Sequence, residues 1–316
     1  MIQDTSNLLK ACENIQNRLV QTPVTICREL NEKFGHNFYF KMDCLQKTGA
    51  FKVRAVLNHL LSLQNEGHLP KEIVTYSTGN HAIALGYVCN LLGIKCRIYL
   101  SRFTSTTKIE MIQKYNPEII FTENRKEAEI IARSDEKGYF LHPSDSDLSI
   151  AGSGTMCYEA LQQLDVKPDA IFAACGGGGL LSGSFLAKKL LSPDSLLFGC
   201  EPQSANDAFL SLQDKKIFEL QQTPQSIADG LITPKLSPRT FEYIKKLDGI
   251  ILSTEEEIKN WTISLNRLLK NKIEPSSAIT MPCAIKWLEK TPPLKKQNIL
   301  LLISGGNLDH QLLLTE

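Results

Sequence analysis

The chain has 316 residues, 42% of them hydrophobic and 22% charged, and its 35 Lys+Arg against 34 Asp+Glu leave a formal net charge of +1. This length exceeds one small module and suggests two lobes, while so even a charge provides neither a basic field for a phosphate backbone nor an acidic disordered tail. Small molecules therefore rank ahead of nucleic acid as partners. The longest apolar run near the carboxyl end, Ile299 to Ile303, falls far short of the roughly 20 residues that span a bilayer. The opening MIQDTSNLLKACENIQNRL lacks the cationic-then-apolar order of a secretory signal, and nine cysteines without a CxxC pair read as reduced thiols. A soluble, cytoplasmic protein with no membrane partner is expected.

In chain order, Tyr39 to Lys41 reads as a strand, and after the turn-forming Thr48-Gly49 an apolar-periodic helix opens around Lys52. EIVTYS (Glu72 to Ser77) reads as a strand leading into GNHAIALGYVCNLLG, which sets Ile83, Tyr87, Val88, Leu91 and Leu92 near one helical face before Gly93 ends it. KCRIYL from Lys95, PEIIF from Pro117 and GYFLH from Gly138 follow as strands, separated by helical patterns over Thr106 to Tyr115 and Lys126 to Lys137. These suffice for a small four-stranded lobe. A second series follows Pro143: a helix from Thr155 to Leu164, a strand over Ala170 to Ala174, a helix from Leu181 to Leu191, the strand LLFGCE, and a last strand over Asn298 to Ser304. Alternation of this kind predicts an α/β fold with parallel sheets and helices outside. The early strand at residues 39–41 can pair with the later sheet instead of with its sequence neighbours.

Four segments carry chemistry-bearing residues. In CGGGGLLSG, Gly176 to Gly179 sit between a strand and a helix; without Cβ atoms their amides can converge, and the helix start adds positive potential, so the natural guest is a phosphate. The run lacks the Lys and Ser/Thr of a P-loop and the spacing of a dinucleotide fingerprint. Lys52, at a helix start that disfavours an ammonium, has an amine available for a Schiff base, although taken alone it reads as a solvated helix residue. In YSTGNHAIA, Ser77, Thr78, Asn80 and His81 crowd a strand-to-helix turn where hydroxyls, an amide and free N–H groups suit a carboxylate, or where a hydroxyl simply caps the helix. ISGGNLD places Ser304 at a strand's end, with Gly305-Gly306 admitting something flat close to the backbone.

These segments, in this order, resemble the β-family of pyridoxal-phosphate enzymes, fold type II, and within it the threonine/serine dehydratase and serine racemase group. The likeness runs from about Thr22 to Asp309 through QKTGAFKVRA, STGNHAIA, HPSDSDLSIAGSGT, GGGGL, EPQSAND, SIADGL, EPSSA and SGGN. It implies a tryptophan-synthase-β-like fold of two parallel-rich lobes with the cofactor in the cleft between them. Residues 1–71 plus 145–316 would form the larger, cofactor-binding lobe, and residues 72–144 the smaller one inserted in it.

Carried over, the resemblance makes Lys52 both the Schiff-base lysine and the base at Cα. Phe51 would pack on the ring, Asn80 bond its phenolic oxygen, Gly176 to Gly179 with Leu180 hold the phosphate, and Ser304 face the ring nitrogen. Glu274, from EPSSA, joins the cofactor set, and Ser77, Thr78, Asn80 and His81 the substrate-carboxylate set. A hydroxyl does not keep the ring nitrogen protonated as an Asp would, which favours prompt loss of a β-hydroxyl. In EPQSAND the resemblance implies a divalent cation held through Glu201, the Ala205 carbonyl and Asp207, a donor set suited to Mg²⁺, Mn²⁺ or Ca²⁺ in a structural role.

Three positions depart from the group's usual pattern: Ala50 for Ser, Ala55 for Gly and Ser153 for Gln. The expected activity is an amino-acid ammonia-lyase on L-threonine, L-serine or 3-hydroxyaspartate, giving a 2-oxo acid and ammonia. A racemase in which the Thr78 hydroxyl serves the opposite face of Cα is the alternative, and a non-catalytic amino-acid binder a third. A homodimer is expected from the resemblance alone. His142, Pro143 and residues 229–233 are expected to line the side-chain region.

Overall fold

The computed structural model describes residues 5–77, 79–222, 224–290 and 294–308. Among them, ten strands build two sheets: β1 (Val24–Ile26), β2 (Asn37–Met42), β3 (Glu72–Tyr76), β4 (Lys95–Ser101), β5 (Glu118–Thr122), β6 (Tyr139–Phe140), β7 (Ala170–Ala174), β8 (Leu196–Pro202), β9 (Gly249–Ser253) and β10 (Asn298–Ile303). The six-stranded sheet has the order β1-β2-β10-β7-β8-β9 and the four-stranded sheet the order β5-β4-β3-β6. Of these strand pairs only β1–β2 is antiparallel. The early strand does lie beside the last: Phe38 is opposite Ile299 and Phe40 opposite Leu301.

Parallel strands covered by helices on both faces read as continuous apolar runs, and the large sheet follows this rule. Successive side chains of a strand point to opposite faces. Ile299, Leu301 and Ile303 of β10 therefore join Phe38, Phe40 and Phe172 in one buried cluster, while Leu300 and Leu302 join Ile171, Leu181 and Leu186 in another.

The helix that opens at Lys52 (Lys52–Asn65) connects the two sheets. Its Val53, Val56, Leu57 and Leu60 pack with Ile73, Leu85 and Ile98 in the core of the small sheet. Its other side meets the helix Asp147–Gln163, where a Cβ on Gly152 would stand 2.5 Å from the Arg54 carbonyl oxygen and 2.9 Å from Ala55 Cα. Arg54 fixes the rotation of this helix. Its Nε and Nη2 donate to the two oxygens of Asp43 (2.6 and 2.9 Å), and Nη1 and Nη2 to those of Glu159 (3.1 and 3.0 Å). Lys41 of β2 donates to the same Glu159 and to the Thr22 carbonyl. Arg54, Lys41 and Asp43 are all buried, so removal of any one charge leaves its partners unmatched, at a cost of about 3–5 kcal/mol.

The helix Asp147–Gln163 starts eight residues before the start read from the sequence, at 147 rather than 155. The Gly/Ser-rich stretch from Ser149 to Gly154 lies within it. In the fold those small residues permit close backbone approach: a Cβ on Gly154 would lie 2.6 Å from the Gly183 carbonyl oxygen. Ser146 caps the helix, accepting from the Ser149 N–H. None of the described helices is long and apolar enough to cross a membrane, and all nine cysteines are free.

Candidate active site

Ligands of open parallel sheets collect outside the carboxyl ends of the strands, and four such ends converge here. The chain leaving β10 is sewn to the chain entering the Lys52 helix: the Phe51 N–H donates to the Ser304 carbonyl (2.8 Å), Gly306 N–H to the Gly49 carbonyl (2.8 Å), and Ala50 bridges Gly305. Past β7, Cys175 leads into Gly176 to Gly179, which start the helix Gly179–Leu191. Past β3 comes Ser77, and past β6 come His142 and Pro143. Between them lies a cavity of about 290 Å³ lined by Phe51, Lys52, Ser77, Asn80, His81, Gly176 to Gly179, Leu180, Glu274 and Ser304, together with residues the sequence does not single out.

Lys52 lines this cavity. Its Nζ donates to the Pro143 carbonyl at 2.8 Å and stands 5.2 Å from the centre of the Phe51 ring. No carboxylate pairs with it among the described residues. Its pKa falls to about 8, first because it is buried and second because of the Arg125 guanidinium. The fall in pKa expected from the sequence is found, with burial as the leading cause and the Arg125 guanidinium, invisible in the sequence, adding to it.

The glycine run fits a phosphate. Gly178 has φ +81°, and a Cβ on Gly177 would stand 2.4 Å from Ser144 Oγ and one on Gly178 2.8 Å from Thr240 Cβ, so side chains would fill this cradle. Ser304, at the opposite wall, has its Oγ 3.0 Å from Ser277 Oγ, and Ser277 Oγ accepts from the Gly305 N–H at 2.7 Å.

Asn80 is held in place by two neighbours: Nδ2 donates to Glu274 Oε1 (2.7 Å) and Oδ1 accepts from Asn307 Nδ2 (2.7 Å). Burial raises Glu274 to about 7. His81 is buried, neither ring nitrogen has a hydrogen-bond partner among the described residues, and burial with the nearby Lys52 and His142 holds its pKa well below the ordinary value. His142 Nδ1 accepts from the Ser144 and Asp145 N–H groups (3.1 and 2.7 Å), and burial lowers its pKa to about 4. Thr78 lies outside the described residues.

Cations that sequence reasoning missed also line the cavity. Lys108 pairs with Asp229, Arg133 with Glu129 at 2.8 Å, and Lys235 with Glu219 at 2.8 Å. Arg125, at the start of the helix Arg125–Ser134, donates to the Ile232 carbonyl (2.5 Å) and has no carboxylate partner among the described residues. Nothing in a single sequence separates Arg125 from any other helix-start arginine.

The acidic loop lies apart from this cavity. Glu201 accepts from the Ala208 and Phe209 N–H groups (3.1 and 2.9 Å), while Asp207 Oδ2 is buried without a partner among the described residues. Burial and the Asp207 charge hold Glu201 well above the usual carboxylate range, and burial raises Asp207 to about 7. Among the described residues no group of three His, Cys, Asp or Glu side chains is placed to hold a metal ion, so the expected cation is not supported by a side-chain cluster. The Ala205 carbonyl, the third ligand expected there, belongs to a fully buried residue of the same loop.

The family model described as pyridoxal-phosphate dependent enzyme matches residues 15–305. A serine racemase from Dictyostelium discoideum is 36% identical over 312 residues, covering 96% of this chain and 94% of that protein. A beta-hydroxyaspartate dehydratase from Paracoccus denitrificans (strain Pd 1222) is 31% identical over 308 residues, covering 96% of each. Among solved structures, a T.th. threonine deaminase superposes with a TM-score of 0.90 at 34% identity, over 97% of this chain and 99% of that one.

The raised Glu274 has a measurable consequence. Between its unfolded value near 4.5 and its folded value of about 7, the native state holds a proton that the unfolded state has released, so this group's contribution to stability declines as pH rises through that window. Glu274→Gln keeps an acceptor for Asn80 and cannot ionise. In urea denaturation of the cofactor-free protein, its stability relative to the parent should improve between pH 4.5 and 8 by on the order of 3 kcal/mol. A difference that does not vary with pH would contradict this origin of the shift.

Proposed function

The chain belongs to the pyridoxal-phosphate-dependent enzyme family, fold type II, and from that premise we propose an amino-acid ammonia-lyase that eliminates water from a β-hydroxy amino acid carrying a second carboxylate, of the 3-hydroxyaspartate kind, ahead of L-threonine and L-serine. The observation that carries the choice is Arg125. It lines the same cavity as Lys52 and, among the described residues, bonds to a backbone carbonyl and to no carboxylate, whereas Lys108, Arg133 and Lys235 there have carboxylates. A planar guanidinium without a counter-ion suits a carboxylate held by two parallel hydrogen bonds. The likeness to the Paracoccus beta-hydroxyaspartate dehydratase supports the same substrate class.

In this reading Gly176 to Gly179 and Leu180 hold the cofactor's phosphate, Phe51 packs on its ring, Asn80 reaches its phenolic oxygen with Glu274 behind, and Ser304 faces its ring nitrogen. When bound, pyridoxal phosphate withdraws electrons from Cα of an attached amino acid and so makes the Cα proton acidic. Lys52 is the residue that would hold the cofactor through its amine and, with substrate bound, would take the Cα proton; a pKa of about 8 leaves part of the amine free near neutral pH. Ser77, Asn80 and His81 orient the substrate's α-carboxylate. Ser304 would offer the ring nitrogen a neutral hydroxyl in place of an acid.

The likeness to the Dictyostelium serine racemase favours a second reading, racemisation with the Thr78 hydroxyl on the opposite face. Chiral analysis of serine or aspartate after incubation distinguishes it: inverted amino acid without 2-oxo acid would replace the lyase reading. For the lyase, Arg125→Ala should lower kcat/KM for 3-hydroxyaspartate about 10- to 100-fold, the worth of a charge-assisted hydrogen-bonded pair, and lower L-serine by a smaller factor, through the loss of the guanidinium's effect on Lys52 alone. Equal losses on both substrates would remove Arg125 from substrate choice.

Glu201, Asp207 and the Ala205 carbonyl also fit a hard divalent cation as a structural ion, because both carboxylates are buried, the Asp207 charge raises Glu201, and one Asp207 oxygen has no partner among the described residues. Millimolar Mg²⁺ should raise the melting temperature of the parent protein near pH 7.5 and leave Asp207→Asn unmoved. An equal response of both proteins would remove the cation from this loop.

A further inference from the structure

One imidazole outside the cavity touches both ends of the chain segment that supplies the cavity's far wall. His59 lies two turns into the Lys52 helix and is buried. Its Nε2 is 3.0 Å from Tyr139 Oη on β6, with the two rings edge to face at 5.8 Å. Its Nδ1 is 3.0 Å from Ser149 Oγ and 3.1 Å from Ser146 Oγ, at the start of the helix Asp147–Gln163. Between these anchor points runs the segment from Phe140 to Asp145. It holds His142, the Pro143 carbonyl that accepts from Lys52 Nζ, and Ser144, which stands against the glycine cradle.

The segment is also tied by the sheet, where Tyr139 and Phe140 pair with Ile73 and Val74, and by Tyr76 Oη, 3.4 Å from His142 Nε2. The Leu141 N–H donates to the Val74 carbonyl and Thr75 Oγ1 to the Leu141 carbonyl, after which the chain leaves the sheet. From Pro143 to Asp145 it bonds through His142 Nδ1 and the Arg239 side chain. Beyond these bonds, the side chains at both ends of the segment meet on one residue, which belongs to the helix that carries Lys52.

We propose that His59 is a positioning residue for Lys52: by holding Tyr139 at one end and Ser146 with Ser149 at the other, it sets the distance from the Pro143 carbonyl to the Lys52 amine. The proposal rests on Lys52 being the cofactor-bearing amine. The imidazole is suited to the task because it offers two hydrogen-bonding atoms on opposite sides of a rigid ring. Burial lowers its pKa to about 4, so it stays neutral and can donate from one nitrogen while accepting at the other. The base at Cα must be placed within a few tenths of an ångström to act well, and the carbonyl is the contact that orients it.

The test uses the enzyme loaded with pyridoxal phosphate. Tyr139→Phe removes a single hydroxyl from a side chain that is 39% exposed, so folding is little disturbed. It should keep the absorption band near 410–420 nm expected of the lysine-bound cofactor, shift the melting midpoint by no more than about 2 °C, and lower kcat about fivefold with KM nearly constant. His59→Asn, whose shorter amide retains the Ser149 side and cannot span to Tyr139, should match it. The double variant should be no slower than either single one, since both remove one link. Parent-like kcat in both single variants, with or without a lower melting midpoint, would overturn the proposal by reducing His59 to a core contact; multiplied losses in the double variant would overturn the shared link. A parent enzyme without the band would overturn the assignment of Lys52 itself, an outcome visible before any variant is made.

Discussion

A lysine ammonium buried without a counter-ion is costly, and that cost organises the centre of this molecule. Lys52 has a carbonyl for an acceptor, an aromatic ring beside it and a guanidinium nearby, with no carboxylate among the described residues to keep it charged. Burial and the guanidinium both favour the free amine. A paired lysine would be stable and inert; an unpaired one is a nucleophile and a base, and the remainder of the fold must hold it where solvent would otherwise draw it out.

The holding is done by charges placed elsewhere. Two residues along the same helix, Arg54 is fully matched by Asp43 and Glu159, and the Lys41 ammonium shares Glu159. This buried cluster fixes the helix against the large sheet, while its apolar residues commit it to the small one. The helix is thus common to both sheets, and the cleft between them opens at its first residue. Lys108 with Asp229 and Arg125 with the Ile232 carbonyl reach across that cleft from the small-sheet side. Among the described residues, carboxylates are present where a fixed scaffold is needed and missing at Lys52 and Arg125, two cations that line the cavity.

Much of this is legible in the chain because the motifs are local. A glycine run between a strand and a helix, a lysine after a Thr-Gly turn and a Ser-Thr-Gly-Asn-His turn each declare a backbone geometry, and the fold brings their described residues to one cavity. What is not legible depends on residues distant in sequence. Arg125 matters because Ile232 and Lys52 lie beside it, His59 because Tyr139 and Ser149 do, and no spacing reveals either relation. The helix from Asp147 reads short for a related reason: Gly152 and Gly154 look like helix breakers in isolation, while against Ala55 and Gly183 there is room for nothing larger. Part of the cause of the lysine's low pKa is hidden likewise, since burial beside an arginine distant in sequence cannot be seen in it.

The most direct measurement is chemical trapping of the loaded enzyme. Borohydride reduction fixes a Schiff base as a stable secondary amine, and peptide mass spectrometry then reports which lysine carries the cofactor. A single phosphopyridoxyl group on Lys52, at a stoichiometry near one per chain and lost in Lys52→Ala, is the expected result. Label spread over surface lysines, or none on the peptide containing Lys52, would contradict the central claim that this buried, unpaired amine is the reactive group.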